Sequence, residues 1–221
     1  MANSTCAQLL QVWHARIIRL DDVGVPLPGE DSLYEHTRPI AVGYTETRPD
    51  RVRIEQPDGA GENCAVYNGP PRAADSVALT MDLCVLDAEL IEMLLGGTVI
   101  TNGTYGTIGY MAANDTDINV DGVALETWSV AWNGESRLTY LGAPAWYRHI
   151  FPKTTWQLGN VNMAGDSFST IPLTGVGEKN PQIGTALPDD VFPADVSDRV
   201  YAWALDDEIP TGACGYQEIA A

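Results

Sequence analysis

The stretch from residue 76 to residue 97, SVALTMDLCVLDAELIEMLLGG, constrains the fold most, because its hydrophobic period changes from two to nearly four. Its first half alternates apolar residues with small or polar ones, which is the pattern of a half-buried strand. Asp87 is then expected to cap a short helix that runs to Leu95. Gly96 and Gly97 end this helix, since glycine takes the left-handed conformation at little steric cost. A helix of about two turns is marginal alone, so we expect it to pack against a sheet.

Short alternating segments recur along the rest of the chain, separated by many of its 21 glycines and 14 prolines. This spacing predicts a mainly β fold, a sandwich or barrel with one packed α-helix. Residues 1–221 are interpreted as a single domain with loop insertions and extended N- and C-terminal segments. Besides the strand that begins at residue 76, we predict strands over residues 10–20, 40–44, 51–56, 64–67, 98–113, 123–132, 138–151, 154–163, 168–173 and 199–205, and turns and loop over residues 21–39.

The charge balance is strongly acidic. Thirty Asp and Glu against 12 Lys and Arg give a formal net charge of −18. Such a chain repels phosphate backbones more than it attracts them. We therefore do not expect broad electrostatic binding of nucleic acid.

The four cysteines are widely spaced and form no C-x-x-C pair, so the sequence predicts neither a zinc knuckle nor a disulfide framework. No long apolar run and no secretory leader is recognisable. We expect free thiols in a protein that is made in the cytoplasm.

The strongest local motif is residues 117–122, DINVDG, which places oxygen donors as in the first half of a calcium-binding loop. The second half of the motif fails, because Trp128 stands at the twelfth position where a bidentate Glu is required. The alternative interpretation is a loop that ends in a hairpin turn, and we favour it.

No other pattern indicates catalysis. His14, His36 and His149 are isolated in the sequence, so a metal or base role for them requires the fold to bring partners together. We expect them to be structural. The glycine pairs lack the features of a phosphate loop, and the acidic pairs near residues 189 and 206 are typical of a solvated surface. The sequence predicts no catalytic residue, no bound cofactor and no metal.

The six tryptophans all lie in or beside predicted strands. A carbohydrate-binding sandwich would use exposed Trp128, Trp132 and Trp146 as stacking platforms. The alternative is that the indoles fill the core or the contacts between subunits, where Trp is enriched. We favour the alternative.

The order of several short motifs resembles one known family. These motifs are RIIRLDDVGVP (16–26), AVGYT (41–45) leading to residues 51–65, DLCVLD (82–87) followed by ELI and LLGG, ALETW (124–128), LG (158–159), DRVY (198–201) and CGYQ (214–217). Together they resemble the major tail (tail tube) proteins of long-tailed bacteriophages that infect actinobacteria. The resemblance covers most of the chain in order.

The resemblance implies a structural virion protein of the phage tail, assembled in the host cytoplasm and without a membrane role. Its subunits would form hexameric rings that stack into a tube, and phage DNA would pass through the tube without specific binding. The partners implied are further copies of the chain, the tape measure protein, the tail terminator and the distal tail protein. An acidic lumen would repel the DNA backbone and let it slide.

On this interpretation, acids on predicted strands face the lumen, and exposed apolar strands supply the heterologous contacts that ring closure and stacking require. The acids expected to face the lumen are Glu46, Glu55, Asp58 and Asp82. The residues expected at the subunit interface are Val123, Trp128, Trp132, Tyr201 and Trp203.

Two alternatives from other classes stay open. One is a tail component that forms a single ring, such as a tail terminator or a distal tail protein. The other is the carbohydrate-binding β-sandwich. The first would not polymerise beyond one ring, and the second would change its tryptophan fluorescence when oligosaccharide binds.

Overall fold

The computed structural model describes residues 8–37, 40–50, 53–57, 63–68, 70, 72–83, 87–132, 136–161, 170–183, 196–212 and 214–219. Over these residues the chain is mainly β with one short helix, as predicted. The elements are β1 (Gln8–Arg19), β2 (Gly29–His36), β3 (Ile40–Thr47), β4 (Arg53–Pro57), β5 (Asn63–Asn68), β6 (Ser76–Leu83), α1 (Ala88–Leu95), β7 (Thr98–Asn102), β8 (Gly106–Met111), β9 (Val123–Trp132), β10 (Thr139–Tyr140), β11 (Ala143–Pro144), β12 (Trp146–Leu158), β13 (Ile171–Glu178), β14 (Ala202–Asp206) and β15 (Gly215–Ile219).

Six antiparallel strands close into a circuit. β9 lies between β1 and β12, β12 continues to β13, β13 to β6, and β6 to β3. β3 returns to β1 where Ile40 pairs with Val12. β2 and β15 extend the sheet from β1, and β14 extends it from β12. The strands thus form a sandwich-like enclosure around one main core.

Strand alternation builds this core. Every second residue of β6 is buried, and the facing residues of β1, β9, β12 and β13 meet it from the other strands. Burial of so many aliphatic and aromatic side chains is the dominant stabilising term for such a sheet. The largest fully buried side chains are Trp128, Tyr34, Phe151, Ile17, Ile18, Leu79, Met81, Leu83, Leu90 and Met93.

The helix α1 agrees with its prediction. Asp87 caps it, because a side-chain oxygen of Asp87 accepts the Leu90 N–H at 3.2 Å. Leu90 and Leu94 are buried against the sheet, so packing holds a helix too short to be stable alone. Gly96 follows with a φ of +82° and a ψ of −160°, a positive-φ backbone that glycine adopts at little steric cost but that differs from the left-handed helical conformation expected there.

Three two-stranded hairpins lie outside the main sheet: β4–β5, β7–β8 and β10–β11. α1 packs mainly beside β7 and β8 and against β12. No helix in the described part of the chain is long and apolar enough to cross a membrane.

The observed strands differ from the predicted ones in several places. The segment over residues 98–113 is a hairpin of β7 and β8, and residues 139–144 form the short hairpin β10–β11 before β12. β2 lies in the stretch predicted to be loop, and β15 follows the strand that was predicted to be the last. β13 spans Ile171–Glu178, and residues 168 and 169 of the strand predicted there lie outside the described residues. β12 runs unbroken through Pro152, where two separate strands were predicted. Pro152 is tolerated because β12 changes partner there from β14 to β13, with a register shift in its pairing to β9.

Candidate functional surface

The solvent side of β3, β6 and β13, here called the outer face, is built of small side chains. In each of these strands, the residues that alternate with the core residues face away from the core, and they line up with their partners in rows across the strands. Hydroxyl, methyl and glycine positions dominate the rows, and β12 continues the face with Thr155 and Gln157. The rows are Ala41–Asp82–Pro172, Gly43–Thr80–Thr174 and Thr45–Ala78–Val176.

Few charges stand on the outer face. Asp82 is exposed in its first row, and Glu178 lies at the far end of β13, opposite Lys153. Lys153 is the one cation on this face within the described residues of its four strands. The face is therefore smooth and weakly acidic, and the −18 charge of the chain is concentrated elsewhere.

Two of the acids predicted to line a lumen, Glu46 and Asp82, lie on opposite sides of the sheet. Glu46 points to the opposite side of β3 from Thr45, where the Tyr201 hydroxyl donates to Glu46 Oε1 at 2.6 Å. Glu55 lies on the β4–β5 hairpin and pairs with Arg53 at 2.5 Å. Asp58 lies outside the described residues. The prediction of one lumen formed by all four acids is wrong for Glu46, because strand parity turns it away from Asp82.

Glu46 and Tyr201 instead form a small polar cluster. The hydrogen bond from Tyr201, with Arg48 also nearby, lowers the pKa of Glu46 below its ordinary value. The same bond raises the pKa of Tyr201 to about 12. Tyr201 also packs on Tyr44, with ring centroids 5.0 Å apart. These contacts hold the segment before β14 against the end of β3.

The predicted interface strand β9 is buried inside the subunit. Val123 is 0% exposed and Trp128 is 2% exposed, because β1 and β12 flank the strand and both of its faces are covered. Their assignment to an exposed interface strand is therefore wrong. Trp132 and Tyr201 are partly buried. Trp203 is 58% exposed and is the member of the predicted set that presents a free apolar surface.

Trp203 lies on an edge strand. β14 pairs with β12 on one side, and no described strand covers its other side. Leu205, two residues on, is 38% exposed on the same face. We call Trp203, Leu205 and the open side of β14 the β14 edge. Unpaired backbone groups beside exposed apolar side chains are a template for another chain.

The β7–β8 hairpin is a second exposed apolar element. Four of its large apolar side chains are between 43% and 80% exposed: Ile100, Tyr105, Ile108 and Met111. The neighbouring loop adds Ile118 and Val120, at 54% and 70%. A projecting hairpin of this composition is typical of a contact between subunits.

A buried charge cluster lies under β14. Glu126 is 0% exposed and accepts N–H groups of Arg148, at 2.8 Å from Nε, and of Arg16, at 3.3 Å. Arg16 also donates to Glu35, which pairs with His14. The cluster joins β1, β2, β9 and β12 through charge-assisted hydrogen bonds.

Trp128 packs between the two guanidinium groups of this cluster. Its ring centroid is 5.4 Å from the Cζ of Arg16 and 5.4 Å from that of Arg148. A cleft of about 300 Å³ opens beside them, lined also by Asp206 and residues 208–210. Both arginines already pair with Glu126, so the cleft offers no free cation to a ligand. Burial raises the pKa of Glu126 to about 7, against the opposing effect of Arg148 and Arg16.

The fold brings one predicted histidine to a new set of partners. His14, His36 and His149 are all buried, at 2%, 2% and 6% exposure. His36, at the end of β2, lies beside Asp87 and Cys214. Burial alone would raise the pKa of Asp87, but the His36 imidazole and hydrogen bonds from Tyr34 and the Leu90 N–H hold it below its ordinary value.

The half-motif at residues 117–122 is a structural loop. Asn119 uses both ends of its side-chain amide, donating to the Met93 carbonyl at 2.8 Å and accepting the Gly122 N–H at 3.0 Å. Asp117 Oδ1 accepts the Asn114 N–H. These donors and acceptors fasten the loop to the end of α1. The predicted hairpin turn is wrong, because the loop leads into β9, which pairs with β1 and β12 and not with the preceding strand β8.

A scan against models of known protein families finds no match, and a search of curated proteins finds no similar sequence. The function is therefore inferred from the chain's own residues and surfaces.

Sequence reasoning missed the residues that the fold brings together from distant segments. Arg16, Glu126 and Arg148 are separated by more than twenty residues at each step, and so are His36, Asp87 and Cys214. The one local signal was the charged residue at an otherwise apolar strand position, as with Glu126 in VALETW. A charge there predicts a buried partner, although it does not say which one.

Proposed function

We propose that this chain is the major tail tube subunit of a long-tailed bacteriophage. Its copies form hexameric rings that stack into a tube, and DNA passes through the lumen. The tape measure protein, the tail terminator and the distal tail protein are the partners in this proposal, and the virion tail is the location. No catalytic residue takes part.

The observation that carries the proposal is the composition of the outer face. A surface that conducts DNA must not hold it, and cations are what hold a phosphate backbone. The rows of Ala, Gly and Thr with Asp82 and Glu178 offer only Lys153, which stands opposite Glu178. We assign this face to the lumen. Its weak acidity, rather than a dense lining of carboxylates, keeps the DNA free to slide.

The apolar surfaces support the assembly part of the proposal. Rings that stack need two complementary pairs of patches on each subunit. The β14 edge and the β7–β8 hairpin are two separate apolar elements that leave large side chains exposed, so each would supply one patch of one pair. We assign the β14 edge to contacts within a ring and the hairpin to contacts between rings.

The exposed surfaces bear differently on the two alternative functions. A single-ring tail component would use the same surfaces, so only the assembly product separates it from a tube subunit. The carbohydrate-binding alternative depended on exposed indoles. Trp128 and Trp146 are 2% and 9% exposed, which removes them as stacking platforms.

Negative-stain electron microscopy of the purified protein, and of the virion that contains it, tests the proposal. We expect long striated tubes in both. Single rings would favour the alternative tail component, and a persistent monodisperse monomer would contradict both. Trp203→Ser is expected to reduce tube formation severalfold with an unchanged circular dichroism spectrum. Val23→Ser, which removes a side chain 63% exposed in a turn, is the matched control.

A further inference from the structure

Three side chains with different metal-binding atoms converge beside the start of β15. His36 ends β2, Asp87 caps α1, and Cys214 immediately precedes β15. The ligand atoms of the three residues all lie within 4.8 Å of one another. His36 Nδ1 is 3.5 Å from Asp87 Oδ2. Imidazole, carboxylate and thiol are the ligand types that zinc prefers in proteins.

The buried histidine supplies an independent indication of a ligand. His36 is 2% exposed, and its Nδ1 makes no hydrogen bond to a described residue; its neighbour Asp87 Oδ2, at 3.5 Å, is within ion-pair distance only. A buried polar atom without a hydrogen bond costs free energy, so native proteins rarely retain one without a reason. This Nδ1 is directed toward the carboxylate and the thiol, where a cation would satisfy it.

We propose that His36 Nδ1, Asp87 Oδ2 and Cys214 Sγ bind one divalent cation of the zinc class, with solvent as the fourth ligand. In tetrahedral zinc sites the ligand atoms stand about 3.3 to 3.6 Å apart, as follows from bonds of about 2.0 to 2.3 Å. The distance of 3.5 Å between His36 Nδ1 and Asp87 Oδ2 already matches that geometry, whereas ligand atoms as far apart as 4.8 Å would have to approach by about 1 Å. Binding forms a metal–thiolate bond and releases the Cys214 thiol proton to solvent.

The surroundings of the site fit this role. The Tyr34 hydroxyl donates to Asp87 Oδ2 at 2.5 Å and lies 4.0 Å from Cys214 Sγ, so it orients two of the three ligands. Asp87 Oδ1 keeps the Leu90 N–H, so metal binding leaves the helix cap in place. The metal would tie three distant segments together: the end of β2, the start of α1 and the start of β15. The inference does not depend on the tail tube proposal.

Cobalt(II) titration of the chelator-treated, reduced full-length protein tests the site. We expect a thiolate-to-cobalt charge-transfer band that corresponds to one thiolate, together with an upward shift of the thermal unfolding midpoint when zinc is added. Cys214→Ser should lose both signals, and its side chain is exposed, so the variant should fold. Tyr34→Phe should keep the band but weaken zinc binding about 10- to 100-fold.

His149→Gln is the matched control, because His149 is a second buried histidine with an unpartnered Nδ1 that belongs to no such cluster among the described residues. It should keep both signals. A wild-type protein without the band would overturn the proposal. So would a band that persists in Cys214→Ser, because one of the other cysteines would then be the ligand.

Discussion

At the scale of single residues, the pKa of Glu126 is set by two opposing effects, burial and the neighbouring arginines. Removing a carboxylate from water favours its protonated form, while nearby guanidinium groups favour its ionised form. Desolvation is the larger effect at Glu126, and the pKa rises to about 7 despite Arg148 and Arg16. The pKa of His149, buried nearby without a charged partner, is lowered by burial.

The raised pKa of Glu126 predicts a pH dependence of stability. Between its ordinary pKa of 4.5 and about 7 the folded chain binds a proton that the unfolded chain has released. The free energy of unfolding should therefore fall as pH rises through this window, by about 3 kcal/mol from this group, and stay low above it. Urea unfolding at a series of pH values measures the slope.

Glu126→Gln should remove this component, since the amide does not titrate. Glu178→Gln, a change of an exposed glutamate on the outer face, should keep it. Equal slopes in wild type and Glu126→Gln would show that Glu126 is ionised throughout the window.

At the scale of elements, α1 and the loop at residues 114–122 form one unit. Gly97 N–H donates to the Asp117 carbonyl at 3.0 Å, and Asn119 N–H donates to the Leu95 carbonyl at 3.1 Å. The chain therefore passes so close to Gly96 that a Cβ there would lie 2.1 Å from the Asp117 carbonyl oxygen. The loop supplies the partners that the last turn of the helix lacks.

Gly96→Ala is predicted to destabilise the protein by about 2 kcal/mol or more. The substitution forces a positive φ on an L side chain and pushes its Cβ into backbone. Chemical denaturation measures the loss. Gly103→Ala is the control: its Cβ would meet nothing within 4 Å, and the change should stay within about 0.5 kcal/mol. If the two variants lose equal stability, the close packing of the loop on α1 is not the reason that glycine is required at position 96.

Elements with a strong period were predictable, and elements defined by distant partners were not. The alternation in β6 and the capped face of α1 stand in the local sequence, and both were predicted. β2 was missed because its sequence GEDSLYEH is polar, and its buried Glu35 is stable there only because Arg16 and His14 reach it from β1. The sequence did not predict that both faces of β9 are buried. Alternating apolar and polar residues indicate one buried face, and they do not show that other segments also cover the face that carries Glu126.

At the scale of the whole molecule, the charge is unevenly distributed. The −18 net charge suggested a densely acidic lumen, but the outer face carries Asp82, Glu178 and Lys153 and is otherwise neutral. A lumen built on this face would leave DNA free to slide because its one described cation, Lys153, stands opposite Glu178. From the sequence, the exposed position of Asp82 on its strand could be predicted. The other residues of the face could not, because they are known only from the register of β3, β6 and β13.

Asp82→Lys tests the lumen assignment. Every subunit of a ring would then present a cation to the passing phosphates, so DNA delivery should fall at least about tenfold. Tubes should still form. Plaque-forming efficiency and electron microscopy measure the two quantities. Asp31→Lys, at an exposed position of β2, which is not one of the four strands of the outer face, should leave delivery unchanged. Normal delivery by Asp82→Lys virions would show that this strand does not line the lumen.

The pairing of β2 with β15 also affects the order in which the chain folds. Tyr34 of β2 pairs with Tyr216 of β15, and β1 pairs with β9, more than 100 residues later in the chain. The main sheet therefore joins residues that are synthesised early to residues that are synthesised late. Sheets dominated by such distant pairings fold slowly, in milliseconds to seconds. The enclosure therefore completes after most of the chain has been synthesised. Under the tail tube proposal, this order would keep an incomplete chain from offering the β14 edge to other copies before its own sheet has formed.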